Sequence, residues 1–205
     1  MNLDISELNL YNPGVIKTRL PNSVFEEIQA LAVKTYEEAV PYNNQLAGHI
    51  EKEYVFNIPW SLKKLLGTMF QEYQNRFQYH VNDEFIVRDQ GWMNYQKKHE
   101  FNPLHFHYGA ASWVIWVQIP YKLEQERANP SLSKANHQVA SQFEFVYNKL
   151  DGGIQNFPLP IDKDWEGTLI MFPSYLKHSV YPFYTSDELR ISVSGNIDIK
   201  EKSNK

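Results

Sequence analysis

The spacing of apolar positions changes period once along the chain. From Pro21 to about Val40 it is helical: Val24, Ile28, Leu31 and Ala32 share one face, with charged residues opposite. Asn22 or Ser23, with Glu26 three residues after Ser23, supplies a capping signal, and Pro41-Tyr42-Asn43-Asn44 ends the helix. A second helix is predicted from Trp60 or Ser61 to about Phe77, carried by Leu62, Leu65, Leu66, Met69, Phe70 and Tyr73. The Gly-containing, partly polar stretch Leu46 to Ile58 between them reads as an extended loop.

After Val81 the pattern is that of strands. Phe85–Lys98, His105–Ile119, Gln142–Asn148, Thr168–Phe172 and Leu189–Ile199 are rich in Val, Ile, Trp, Tyr and Phe and are separated by Pro, Gly, Asn and Asp clusters. In the last run Leu189, Ile191, Val193, Ile197 and Ile199 alternate with Arg190, Ser192, Ser194, Asn196 and Asp198, one apolar face against one polar face. Helices first and antiparallel strands afterwards predict a mostly β fold, a sandwich or barrel with the helices on one outer face. The expected organisation is one domain over 1–205, with 1–80 a helical support and 81–200 the β core. Glu124 to Ser141, with few apolar residues, is expected to be a long loop.

Composition narrows the chemistry. The 205 residues include no cysteine, so disulfides, thiolate-held zinc and iron–sulfur clusters are excluded, and histidine, carboxylate and hydroxyl groups must carry any reaction. A net charge of −4 with scattered Lys and Arg disfavours nucleic acid. Met1 to Leu10 has no basic start and apolar run, and no window approaches a membrane span of roughly 20 apolar residues. The expectation is a soluble, cytoplasmic protein that meets no membrane; self-association is left open.

Of the seven histidines, three stand in informative places. His105 and His107 begin an apolar strand, and residues i and i+2 of a strand project from one face about 6.5 to 7 Å apart, close enough for two imidazoles to converge on one ion. His178 follows the strand Gly167 to Phe172 and the turn at Pro173, and Arg190 comes twelve residues later. A His-x-His pair alone is usually a surface or hydrogen-bonding pair, and an arginine on an amphipathic strand usually faces solvent. Here Ser192, Ser194 and Asn196 share the face of Arg190, small polar residues that suit a pocket better than an open surface. His49, His80, His99 and His137 are assigned no role.

The order His-x-His, then Gly-x-Leu-Ile-x-Phe-Pro ending in a histidine, then Arg-x-Ser resembles the 2-oxoglutarate and iron(II)-dependent oxygenases. The resemblance covers roughly Phe85 to Ile199, and Asn44 to Tyr54 looks like a stretch ahead of the core in prolyl-hydroxylase-like relatives of bacterial and phage type. It implies a double-stranded β-helix (a jelly-roll, cupin-like barrel), Fe(II) and 2-oxoglutarate as cofactors, and hydroxylation of a substrate with oxidative decarboxylation of 2-oxoglutarate to succinate. The ligands it implies are His105, His107 and His178, with Arg190 and Ser192 on the distal carboxylate of 2-oxoglutarate. Asn94 precedes the His-x-His strand with pocket-facing parity and would hydrogen-bond the co-substrate, as would Tyr95, a tyrosine that touches the 2-oxo acid in relatives despite its opposite parity. The family pattern places Asp or Glu where this chain has His107, which leaves the ion's charge less compensated. Glu144, between Phe143 and Phe145, is the first candidate for a carboxylate arriving from another strand. The substrate, a small molecule or a protein side chain, is not written in the sequence. Two other classes stay open: a cupin-like metal protein or isomerase using no 2-oxo acid, and a non-catalytic structural member of the fold.

Overall fold

The computed structural model describes residues 13–38, 40–130 and 132–200. In chain order, β1 (Ile16–Arg19) leads into α1 (Asn22–Glu37), and β2 (Glu53–Asn57) into α2 (Trp60–Phe77). Then come β3 (Phe85–Val87), β4 (Gln90–Gln96), β5 (Asn102–His105) and β6 (Ala111–Gln118). A short α3 (Leu123–Arg127) precedes β7 (Phe143–Asn148), β8 (Ile154–Leu159), β9 (Thr168–Pro173), β10 (Lys177–Val180) and β11 (Arg190–Ile199). Both predicted helices form, but neither Asn22 nor Ser23 caps α1. The helix starts from Pro21, whose carbonyl accepts the amides of Val24 and Phe25 at 3.0 Å.

The strands make two antiparallel sheets. The larger has the order β1-β9-β6-β11-β4-β2, with β3 also beside β11; the smaller has the order β5-β10-β7-β8. Together they form a double-stranded β-helix, the jelly-roll barrel that the family resemblance implies. The run 105–119 is split between the sheets: β5 belongs to the smaller and β6 to the larger, and Gly109 between them takes φ +130°, where a side chain would be strained. Three edge strands lie where the sequence predicts none, as does β10 inside the smaller sheet. β1 and β2 fall in the first 80 residues, so that segment supplies barrel wall as well as helices, and β8 carries Pro158 at the end of the smaller sheet. All three are edge strands, whose polar and proline residues weaken the alternation that marks a strand.

The larger sheet is buried on both faces. Odd-numbered Trp113, Ile115 and Val117 of β6 join Met93, Val193 and Ile197 against Ile28, Leu62, Leu66 and Phe70 of the helices. Even-numbered Val114 and Trp116 face the smaller sheet and meet Phe143, Phe145, Ile170 and Phe172. One core thus fixes the sheet to its helices while a second fills the barrel. Polar residues that enter this second space stand out, because each needs a partner or a function. Among the described residues no helix is long and apolar enough to cross a membrane.

Candidate metal centre

β5 and β10 pair so that His105 lies directly opposite His178. The turn after β9, closed by the Leu176 amide on the Pro173 carbonyl at 2.9 Å, brings β10 back to that position. His107 lies just past the end of β5, where its amide donates to the Ser174 carbonyl at 2.9 Å and its ring packs on Trp92. Ligand atoms of the three histidines then lie within 4.8 Å of one another.

Two of the rings are oriented by the backbone. Nδ1 of His105 is 2.7 Å from the Pro103 carbonyl, and Nδ1 of His178 is 2.9 Å from the Leu176 carbonyl. A carbonyl only accepts, so each Nδ1 carries the proton and each Nε2 keeps a free lone pair, the arrangement a metal ligand needs. Phe143 stacks on His178 and Phe172 meets it edge-on, giving the site an apolar wall. Burial lowers the pKa of all three histidines, and His107, with the charges of His105 and Arg88 adding to burial, falls to about 3. Three neutral imidazoles converge, ready for a divalent ion without proton loss.

Among the described residues no carboxylate joins this cluster. Glu144 lies elsewhere. Its neighbours Phe143 and Phe145 point into the barrel, so Glu144 projects from the other face of β7, where it accepts from the Tyr181 hydroxyl at 2.9 Å and lies 3.6 Å from His137. Tyr95 is also not in the site. Strand parity turns it to the helix side of the sheet, where its hydroxyl donates to the Ala32 carbonyl of α1 at 2.5 Å and its ring meets Tyr36.

The other sequence candidates face the barrel. Asn94 and Ser192 are opposite each other on β4 and β11, and with Trp92, Asn102, Trp116 and Ser194 they line the cavity that contains the histidines, a space of about 40 Å³. Arg190 lies one inward position further along β11, only 3% exposed and flanked by the rings of Tyr121 and Phe183. All five of its N–H groups are engaged: Nε and Nη2 donate to Gln96 Oε1 at 3.1 and 2.7 Å, Nη1 to the Tyr121 hydroxyl and the Ser141 carbonyl, and Nη2 to the Tyr181 carbonyl. Every one of those acceptors is neutral, and among the described residues no carboxylate forms an ion pair with it. The guanidinium is hydrogen-bonded but its charge is unbalanced.

A carboxylate that the sequence analysis does not single out lies nearby. Glu53 of β2 is the register partner of Asn94, so Glu53, Asn94, Ser192 and Trp116 form one inward row across four strands. It is 1% exposed, Oε1 has no hydrogen-bond partner, and burial, followed by the charge of Glu100, pushes its carboxyl up to about 7. In the unfolded chain it titrates near the ordinary value of about 4.3. Between those values the unfolded chain ionises while the fold holds the proton, so folding stability falls as pH rises through this window and levels off above it. Glu53→Gln removes that loss. Urea melts at pH 5 and pH 8 are expected to show the variant gaining roughly 2 to 3 kcal/mol on wild type across the interval; a pH-independent difference would show that Glu53 is ionised throughout.

A family model described as "Putative 2OG-Fe(II) oxygenase" matches residues 90–196, from β4 to β11, slightly more than half of the chain. The chain belongs to the 2OG-Fe(II) oxygenase family. No curated protein matches it in sequence. Among solved structures, a Pseudomonas putida prolyl-4-hydroxylase is similar at TM-score 0.55 and 15% identity, over 93% of this chain and 94% of that one. The non-heme alpha ketoglutarate dependent carbocyclase SnoK from nogalamycin biosynthesis is similar at TM-score 0.52 and 11% identity, over 89% and 78% of the two chains. At such identities the likeness is one of fold.

Membership of this oxygenase family implies Fe(II) and 2-oxoglutarate, and this chain's residues fit both. The three lone pairs suit an ion, and a buried guanidinium without a counter-anion suits a dicarboxylate. The residues around Arg190 that the sequence analysis does not reach, Gln96, Tyr121, Ser141 and Tyr181, come from four separate segments, and their only signal is parity: Gln96 shares the inward parity of Asn94.

Proposed function

We propose that this oxygenase is a hydroxylase that couples 2-oxoglutarate decarboxylation to oxidation of a C–H bond: R–H + O2 + 2-oxoglutarate gives R–OH + succinate + CO2. The observation that carries the reading is the pairing of three neutral, converging imidazoles with the unbalanced charge of Arg190 inside one barrel. When bound, iron(II) and 2-oxoglutarate supply the oxidising power, one oxygen atom leaving in succinate and the other entering the substrate.

The chain's own residues do the positioning. His105, His107 and His178 hold the ion through one nitrogen each, and the Pro103 and Leu176 carbonyls keep two of those rings in the right tautomer and rotation. Arg190 holds the distal carboxylate through two parallel N–H bonds, with the Ser192 hydroxyl on the same anion and the Asn94 amide beside it. To do so Arg190 must exchange neutral partners for the anion, and Gln96 Oε1, which already accepts from two of its nitrogens, marks the bidentate position. Phe143 and Phe172 exclude water from the histidine side. With His107 where the family usually has a carboxylate, the protein supplies no negative charge to the ion, so the dianionic co-substrate becomes its main charge partner. The substrate is a small molecule or a protein side chain.

One observation favours a metal protein that uses no 2-oxo acid: Arg190 already has a partner for every N–H. Succinate production by the full chain with iron(II), ascorbate and 2-oxoglutarate, without prime substrate, separates the readings. Slow uncoupled turnover that disappears when iron is withheld is expected, and complete absence of succinate would remove the oxygenase reading.

A further inference from the structure

Among the described residues five buried side-chain atoms have no hydrogen-bond partner, and three are acceptor oxygens on neighbouring strands of the barrel: Glu53 Oε1, Asn94 Oδ1 and Asn102 Oδ1. Glu53 and Asn94 are opposite each other on β2 and β4, on the inward face. Glu53 and Asn102 converge on Gly48, where an added Cβ would fall 2.2 Å from Glu53 Oε1 and 2.7 Å from Asn102 Oδ1, so this segment passes over the two oxygens only because residue 48 has no side chain. Asn94 and Asn102 line the same cavity as the three histidines, and Asn102 stands three residues before His105 on β5. The single bond made by this group of oxygens is a long one, from Asn43 Nδ2 to Glu53 Oε2 at 3.5 Å.

Three acceptors without partners, one of them a carboxyl, call for several donors and, once Glu53 ionises, a positive charge, and no lysine or arginine among the described residues supplies them. Asn and Gln donors would satisfy the amide oxygens but not the carboxylate. A primary ammonium carries three N–H donors and one charge, which matches the two amide oxygens of the histidine cavity and the carboxyl of Glu53, the register partner of Asn94. On the oxygenase reading above, on which this inference rests, such a group would sit a few bonds from the carbon presented to the metal. We infer that Glu53, Asn102 and Asn94 are the seat of a primary ammonium group of the substrate, with Glu53 as its counter-charge. The raised pKa of Glu53 agrees, being the mark of a carboxyl held without its cation.

The test is calorimetric, on the full chain loaded with Mn(II) and 2-oxoglutarate, using two matched pairs of probes. One pair is n-butylammonium against n-butanol, for a free amine; the other is acetyl-Gly-Lys-Gly-amide against its norleucine analogue, for a protein side chain. At least one amine is expected to bind tenfold or more tightly than its neutral partner, and the pair that shows the preference identifies the source. Glu53→Gln is expected to reduce that ratio to within about twofold of one without weakening the neutral probe. No preference in either pair with wild-type protein, a comparison that needs no variant, overturns the seat, as does a preference that survives in E53Q. The uncoupled succinate assay is independent: succinate without amine preference sinks the seat alone, and amine preference without succinate upholds the seat and sinks the oxygenase reading.

Discussion

His178→Ala is expected to abolish tight divalent-metal binding, weakening Mn(II) affinity by a factor on the order of a thousand, and with it all succinate formation. Disturbing the groups that merely orient a ligand costs roughly 10- to 100-fold in affinity, and loss of one ligand of three costs more. His178 is the most buried of the three, 3% exposed, with its ring locked between the Leu176 carbonyl and Phe143. Alanine leaves a gap beside Phe143 and Phe172, so a stability loss of about 2 kcal/mol should accompany the metal loss. His178→Gln preserves volume and separates the two effects. Metal content by plasma emission, read beside a denaturant melt, checks both. Unchanged metal content in a folded H178A protein would mean that the three imidazoles do not form the site.

The second large effect is expected at Arg190. Arg190→Met removes five donors at once and leaves Gln96 Oε1, the Tyr181 carbonyl and the acceptor side of the Tyr121 hydroxyl unpaired, while the Ser141 carbonyl keeps the Tyr121 hydroxyl. Each such orphan costs about 1 to 3 kcal/mol before relaxation, so a destabilisation on the order of 4 kcal/mol is expected in urea melts. Stability alone does not show that Arg190 anchors an anion. Arg190→Lys keeps the charge but replaces a planar fork by a point donor, and titration of 2-oxoglutarate into the Mn(II)-loaded variant should give an affinity at least tenfold weaker than wild type. Mn(II) affinity without 2-oxoglutarate should be unchanged in that variant. Undiminished 2-oxoglutarate binding in R190K would make Arg190 a structural residue and not the anchor of the co-substrate.

How far the site can be read from the chain depends on whether its chemistry is local. His105 and His107 are two apart on one strand, and Arg190 and Ser192 are two apart on another, so parity alone places each pair on one face. Only the fold brings the two pairs and His178 into one barrel. Parity also separates Asn94 from Tyr95, and the structure follows parity at both positions: Asn94 lines the cavity and Tyr95 bonds α1. Glu144 could not be placed in this way. Both faces of the sheet that holds β7 are covered at this point, so Glu144 at 2% exposure is as buried as Phe143 and Phe145, and burial does not say which side faces the metal. Glu53 was illegible for another reason. A glutamate in a short, partly polar edge strand looks like a loop residue, and its inward direction follows only from pairing with β4, some 40 residues away in sequence. The same holds for β1, an edge strand with little apolar content of its own, and Pro158 masks β8.

β11 is hydrogen-bonded to β6 along one side and to β4 and then β3 along the other, so it lies in the middle of the larger sheet although it comes last in the described chain. Until it is in place, β4 and β6 have no common partner and both present open edges with Trp and Val side chains exposed. During synthesis, therefore, the larger sheet stays split until its last strand is made. A nascent chain stalled short of residue 190 would carry sticky sheet edges, a species for chaperones. The wall that carries Arg190 and Ser192 is therefore the last part of the larger sheet to close.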